Sequence, residues 1–354
     1  MGGRESMDRW LGNLKYDPLA PLLECGNAAI QTFVRRDLLG KAAPVEYLWQ
    51  LVESQKILKK QKPDGAWIYP SAKESIRSRE NYNQIETYRN VGILVEQFGF
   101  NRKHSAIANA AEYLLSFQSK EGDVRGIYGN QYSPNYSAGI TELLVKAGYG
   151  NDIRIKKIFD WLLSIRQDDA GWAIPFRTRN WNLDVIARQL KAIGPDKSKP
   201  FSYMVTGVVL RAFAAHPTYR KSKEAQQAGK LLLSMTFKKD HYPDRAGTEY
   251  WLRFSFPFWF TDLISSLDTL SLLGFSAQET QIERALQWFV KNQRETGLWQ
   301  FKVTKGKNRD ILELWLALAV CRIFKRFYTN RTTVCSQTPN NGFQATSAMT
   351  RHRG

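Results

Sequence analysis

The sequence predicts an all-α protein built from repeated helical hairpins, and three observations predict it. Amphipathic segments end repeatedly on a glutamine that leads into a turn carrying glycine and tryptophan. These turns recur at a roughly constant interval. Between them runs a second set of helices whose last residues also align. The chain has 354 residues, 43% apolar and 13% aromatic, which suits two average domains or one closed repeat architecture. Internal periodicity selects the second.

The glutamine turns come first. Tyr113 to Gln118, Trp161 to Gln167 and Trp288 to Gln293 each close an amphipathic helix. Complete turns follow at Gln61-Lys62-Pro63-Asp64-Gly65-Ala66-Trp67, Gln167-Asp168-Asp169-Ala170-Gly171-Trp172 and Gln293-Arg294-Glu295-Thr296-Gly297-Leu298-Trp299. Gln118 leads instead to Glu121-Gly122-Asp123, and a degenerate copy places Thr236 where glutamine is expected. Positions 61, 118, 167, 236 and 293 are 57, 49, 69 and 57 residues apart, enough for two helices and two loops per repeat. Glycine permits the tight reversal, tryptophan covers the hairpin end, and a glutamine amide satisfies backbone groups left over at a helix terminus. The turns are therefore expected to staple adjacent repeats.

The second helices close with Phe98-Gly99, Ala147-Gly148, Ala214-Ala215 and Leu273-Gly274, where glycine supplies the left-handed cap. Twelve residues before these anchors stand Thr87, Tyr136, Tyr203 and Asp262. Eight or nine residues before them stand Asn90 and Val91, Gly139 and Ile140, Thr206 and Gly207, and Ser265 and Ser266. Offsets of three and four put these on one helical face that is small and partly polar. Such a face suits inner helices crowding around an axis and lining a central cavity.

Composition limits the alternatives. No run of about 18 uninterrupted apolar residues occurs, so a spanning helix is not expected. The N-terminus lacks a signal-peptide pattern, and a cytoplasmic protein is the expectation. Cys25, Cys321 and Cys335 form no C-x-x-C pair and read as ordinary thiols. Formal charge is +18, concentrated in runs such as Lys56 to Lys62, Arg220 to Lys223 and Lys302 to Arg309. A solvated surface or peripheral docking on an anionic membrane accounts for it; no nucleic-acid signature is present. His104, His216 and His241 stand near loops and read as surface residues.

The turns and aligned inner helices resemble the squalene-cyclase, terpenoid-cyclase and protein-prenyltransferase superfamily, whose repeats carry glutamine-to-tryptophan (QW) turns. The resemblance runs from about Leu22 to Phe327. It implies an α/α toroid, here a single α/α barrel of about six helical hairpins around an apolar cavity. Residues 1–21 then form an N-terminal extension, 22–328 the toroid, and 329–354 a polar, aperiodic tail expected to be disordered. The superfamily's chemistry needs motifs this chain lacks. No D-x-D-D acid motif or D-D-x-x-D magnesium cluster occurs, and Asp168-Asp169 sits inside a turn. Ile264 stands where the zinc prenyltransferases would need cysteine two residues after Asp262. No metal or other cofactor is expected.

The densest aromatic stretch, Glu249 to Asp262, is the leading site candidate, since aromatic faces stabilise cations and also fill cores. Asp262 is expected on the cavity side of an inner helix, where burial would raise its pKa and make it a general acid; its alternative is a first-turn helix acid. Glu86 and Glu249 are weaker acids of the same kind. Tyr88, Tyr136, Trp181, Tyr203, Trp251, Phe256 and Trp259 are expected to line the cavity. Three functions stay open: an isoprenoid cyclase or prenyl-transfer enzyme, a non-catalytic isoprenoid or lipid binder, and a scaffold with a basic surface. The oligomeric state is not legible.

Overall fold

A computed structural model describes residues 9–70, 82–186, 189–303 and 308–329. Cys335, the expected tail beyond residue 329 and part of the basic run Lys302 to Arg309 lie outside the described residues. Secondary structure among the described residues is helical, apart from isolated bridges. In chain order the helices are α1 (Leu19–Leu23), α2 (Ala28–Phe33), α3 (Val52–Leu58), α4 (Tyr82–Phe98), α5 (Ser105–Leu115) and α6 (Pro134–Leu144). There follow α7 (Ile153–Ser164), the short α8 (Pro175–Thr178) and α9 (Leu183–Ile186), and α10 (Tyr203–Ala215). The chain continues through α11 (Lys223–Ser234), α12 (Leu263–Leu272), α13 (Thr280–Lys291) and α14 (Arg309–Thr329).

Six of these form the inner wall. Helix α2 packs on α4, α4 on α6, α6 on α10, α10 on α12, α12 on α14, and α14 returns to α2. Outer helices lie behind them, α5 against α4, α7 against α6, α11 against α10 and α13 against α12. The fold is thus a closed α/α toroid. One continuous apolar cluster fills the space between the layers, and its members include Trp10 and Leu19 from before residue 22.

Three of the four glutamine turns hold neighbouring hairpins together by one repeated set of bonds, while Gln167 donates instead to Asp196 O and Lys199 O at 2.7 and 2.9 Å. Gln61 Nε2 donates to Gly65 O and across to Ala106 O at the start of α5 (3.0 and 2.8 Å). Gln118 Nε2 does the same with Gly122 O and Arg154 O (2.9 and 2.8 Å). Gln293 Nε2 bonds Gly297 O and then Tyr16 O, 277 residues away, at 2.8 and 2.9 Å. The last turn therefore closes the ring on the first hairpin. Each tryptophan indole donates to the carbonyl ten residues before it, Trp67 to Ile57, Trp172 to Leu162 and Trp299 to Phe289. At about 1 kcal/mol per buried hydrogen bond, each turn contributes several kcal/mol beyond the burial of its indole.

Helix ends follow local rules. Asn27, Asp152, Ser202, Ser222 and Asp262 each accept a backbone N–H as N-caps of α2, α7, α10, α11 and α12. Two histidines depart from the surface roles expected of them. His104 caps α5 through Nδ1 and packs edge-on against Trp49 and Phe100. His216 is buried, its Nδ1 accepting from Thr218 N and its Nε2 meeting Gly150 O.

Candidate ligand cavity

Most of the small, polar inner face is used for assembly. Thr87 Oγ1 accepts from Trp67 N and Thr206 Oγ1 from Trp172 N, both at 2.9 Å, so two inner-helix threonines brace the turns behind them. The glycines admit aromatic rings instead. A methyl on Gly92 would lie 2.5 Å from the Trp259 indole, and one on Gly139 would lie 2.6 Å from the Tyr88 hydroxyl. Larger residues there would expel the side chains that shape the lumen.

The cavity so formed, about 340 Å³, lies near the N-terminal ends of the inner helices. Ile85, Tyr88 and Arg89 reach it from α4, Asn135 and Tyr136 from α6, and Met204 and Val208 from α10. Tyr128, Ile174, Asp244, Arg245, Trp259 and Phe260 enter from loops. Its aromatic wall is a chain of edge-to-face rings. Trp259 meets Tyr88 at 5.3 Å, Tyr88 meets Tyr136 at 6.1 Å, and Tyr136 meets Tyr128 at 5.5 Å. Such pairs hold ring orientation beyond simple area burial.

The mouth has a different chemistry. Arg89, Arg245, Trp259 and Phe260 are shared with an open basin of about 820 Å³ that adds Arg253, Lys302 and Val303. Among the described residues four cations and no acid line it. Arg89 has Glu86 at 3.9 Å, whereas Arg245, Arg253 and Lys302 form no ion pair among the described residues. The Arg245 guanidinium instead stands 3.3 Å from the Phe260 ring centroid, and Arg253 lies 4.9 Å from that of Tyr250. Burial draws the Arg245 pKa below its ordinary value. Asp244, the acid on the cavity wall, is held bidentate by Arg177 at 2.6 and 2.8 Å.

A larger cavity of about 660 Å³ opens at the opposite, C-terminal ends of the inner helices. Phe33, Phe100, Phe256 and Phe258 line its floor, but its cations are engaged. Arg322 pairs with Asp37 at 2.6 Å, Arg326 with Asp268, and Lys146 with Glu96 at 2.5 Å, while Lys325 donates to Asp37 O and Leu38 O. Those charges hold helix ends together. The smaller cavity, with unneutralised charge at its mouth, is the better ligand site.

Of the residues expected in the lumen, Tyr88, Tyr136 and Trp259 line the cavity. Asp262 does not. It is fully buried as the N-cap of α12, where its Oδ1 accepts from Ser265 N at 2.8 Å and Ser265 Oγ accepts from Asp262 N at 2.9 Å. Its Oδ2 has no hydrogen-bond partner among the described residues, and burial, opposed by these hydrogen bonds and by Arg211, raises its pKa to about 7. Tyr203 stacks on Trp251 at 4.5 Å inside the wall, and the Trp251 indole is tied to Lys238 O. Phe256 stacks on Trp315 at 5.1 Å and faces the other cavity. Glu86 pairs with Arg89 and Asn90 outside the lining, and Glu249 and Trp181 are exposed. In each case a loop or partner side chain, rather than the helical offset, decides where the group ends.

Sequence reasoning missed Tyr128, Arg245 and Arg253. They lie in loops between repeats, and the available signal was composition: Tyr128 among glycines, Arg245 just before the aromatic stretch and Arg253 within it. Beneath the site runs a buried ion chain. Arg211 pairs with Glu142 at 2.8 Å and donates to Phe260 O at 3.2 Å, and Lys146 binds Glu142 at 2.7 Å. Burial pushes the Glu142 pKa up, but Lys146 and Arg211 outweigh it and hold the carboxyl below its ordinary value.

Among the described residues no group of three or more His, Cys, Asp or Glu side chains is placed to hold a metal ion. No helix among them is long and apolar enough to cross a membrane.

No family model matches the sequence, and no curated protein matches it. Among solved structures, the chain is similar to the type II terpene cyclase MstE from Scytonema, described in its apo form. That likeness covers 79% of this chain and 98% of the other, with 14% identity and a TM-score of 0.39. A protein from Actinoplanes is similar over 80% of this chain and 99% of its own, at 13% identity and a TM-score of 0.29.

Proposed function

We infer that this toroid binds an isoprenoid-like amphiphile, with its apolar body in the aromatic cavity and its anionic head at the cationic mouth. One observation carries the reading: the 340 Å³ cavity shares its mouth with a basin lined, among the described residues, by four cations and no acid. The cavity volume is near the lower end of the ~300–1,000 Å³ range of ligand sites, which favours a short chain over a long one. Apolar ligands gain roughly 25 cal/mol for each Å² removed from water, and an anionic head gains charge-assisted hydrogen bonds to arginine. A packed-shut scaffold has no use for either feature.

Binding without turnover is the first reading, because Asp244 is committed to Arg177 and Asp262 lies behind the lining. A cyclase or prenyl-transfer reading keeps one support: the buried Oδ2 of Asp262, without a hydrogen-bond partner among the described residues, on a carboxyl that holds its proton near neutrality. Calorimetric titration with farnesol, farnesyl diphosphate and inorganic diphosphate tests the first reading. Farnesyl diphosphate should bind most tightly. Arg245→Gln should weaken it about tenfold or more while leaving farnesol unchanged, and Trp259→Ala should weaken both. Absence of binding by either prenyl compound would refute the reading. Product analysis after prolonged incubation, compared with Asp262→Asn, separates binder from enzyme.

A further inference from the structure

Beside the loops that supply the cavity wall stands an apolar projection that the described residues leave partly uncovered. Trp181, Val185 and Leu190 are 38, 51 and 86% exposed within ten residues of sequence. The segment is fastened to the cavity from two sides. Trp181 N donates to Phe176 O, and Arg177 Nη1 donates to Trp181 O while the same guanidinium grips Asp244 on the cavity wall. At its other end, Gln131 Nε2 donates to Lys191 O and Gln131 Oε1 accepts from Ile193 N. Gln131 belongs to the loop that sends Tyr128 into the cavity. The projection is therefore tied to residues that also hold or neighbour two members of the cavity wall, Asp244 and Tyr128.

Charge surrounds it asymmetrically. Among the described residues of this loop Arg179, Lys191, Lys197 and Lys199 are exposed, against two acids, Asp184 and Asp196, the latter bonded to Ser198. Exposed tryptophan and leucine flanked by lysine and arginine match the boundary between acyl chains and anionic headgroups, where indole rings partition and cations stay in water. An acidic protein partner would complement the cations, but it would leave Trp181, Val185 and Leu190 without an apolar counterpart.

We propose that Trp181, Val185 and Leu190, with the exposed cations beside them, dock this protein on an anionic lipid bilayer, so that the cavity receives its ligand from the membrane surface. The proposal rests on the binding reading above for the second clause only. The docking itself is measured with vesicles that contain no ligand.

Purified protein is sedimented with vesicles of phosphatidylcholine alone and of phosphatidylcholine with 30% phosphatidylglycerol, a fraction of roughly the anionic content at which polybasic surfaces respond. The expected result is binding to the anionic vesicles that weakens with salt, and a drop of about tenfold or more in Trp181→Ser/Leu190→Ser. Both side chains are exposed, so the variant should keep its thermal midpoint. Val52→Ser/Ile153→Ser provides the control, since Val52 and Ile153 are each 63% exposed in other hairpins. The control should sediment like the parent chain. Equal sedimentation of both variants, or no binding by the parent protein at low salt, overturns docking by this segment. Farnesyl diphosphate titration of the same variants in vesicle-free buffer reads the ligand site separately: unchanged affinity with lost sedimentation supports the proposal, and lost affinity in the Trp181→Ser/Leu190→Ser variant with intact sedimentation overturns it.

Discussion

Ring closure can be weighed by one pair of glycines. Gly297 and Gly274 share nearly the same left-handed backbone, φ +81° and +82°. Alanine at either site carries the same conformational cost, about 1–2 kcal/mol. Their surroundings differ. Nothing lies within 4 Å of a methyl added at Gly274, whereas one at Gly297 would collide with the Asp17 carbonyl oxygen and come within 3.0 Å of its carbonyl carbon. That carbonyl is backbone, fixed beside Lys15 N and Tyr16 N, which donate to Gln293 Oε1 at 3.0 and 3.1 Å. Relief must separate the last turn from the first hairpin. The added overlap costs about 1–3 kcal/mol, and each Gln293 bond disturbed adds about 1 kcal/mol. Gly297→Ala should therefore destabilise by about 3–5 kcal/mol and Gly274→Ala by about 1–2 kcal/mol. Urea unfolding followed by far-UV circular dichroism gives both values, with unchanged slopes confirming a shared mechanism. Equal destabilisation, within about 0.5 kcal/mol, would show that the contact between Gly297 and Asp17 contributes nothing to closure.

Other predictions follow from the buried charges and the lumen. Arg211→Met leaves Glu142 with one cationic partner and should cost about 3–5 kcal/mol, against less than about 1 kcal/mol for Arg36→Met at an exposed pair; denaturant midpoints compare them. Asp262 has a folded pKa of about 7, above its ordinary value of 3.8, so the folded state binds the extra proton and is most favoured below about pH 4. That contribution fades as pH rises from there through about 7. Asp262→Asn, which keeps the cap acceptor, should gain on the parent between about pH 5 and 7, by at most roughly 1.4 kcal/mol for each tenfold fall in proton concentration; a constant difference across that window would contradict the assignment. Gly92→Leu should push Trp259 into the lumen and lower farnesol affinity about tenfold or more with little change in midpoint, because the group that must give is the end of a side chain.

The ring's joints were legible because a staple must repeat its chemistry. Gln61, Gln118 and Gln293 bond the same way, and Trp67, Trp172 and Trp299 reach back ten residues each. Counting back twelve residues from Gly148 reached the lumen at Tyr136, whereas the count from Gly99 gave Thr87, which braces Trp67 and stands next to the lining Tyr88. The same count failed at Tyr203 and Asp262 for a physical reason. A helical offset fixes direction about the helix axis but not what covers the helix start. Trp251, from the long loop before α12, lies over Tyr203 and takes it into the wall. At Asp262 the decisive signal was Ser265 three residues on, a reciprocal cap rather than a face. Three of the mouth's four cations, Arg245, Arg253 and Lys302, arrive from aperiodic loops, so no spacing announces them; only the folded chain brings them to Arg89 of α4 in one basin.

Closure has one more consequence. An open array of helical hairpins frays from its ends, and its width is free because each unit meets only its neighbours. A hoop has neither freedom. The joint between Gln293 and Tyr16 is made of the same amide-to-carbonyl bonds as those at Gln61 and Gln118, so the last turn meets the first hairpin as an inner turn meets its neighbour. The number of staves sets the bore as well. A seventh hairpin would widen the lumen in a single large step, leaving Gly92 and Gly139 as the fine adjustment of its width through how far Trp259 and Tyr88 lean inward.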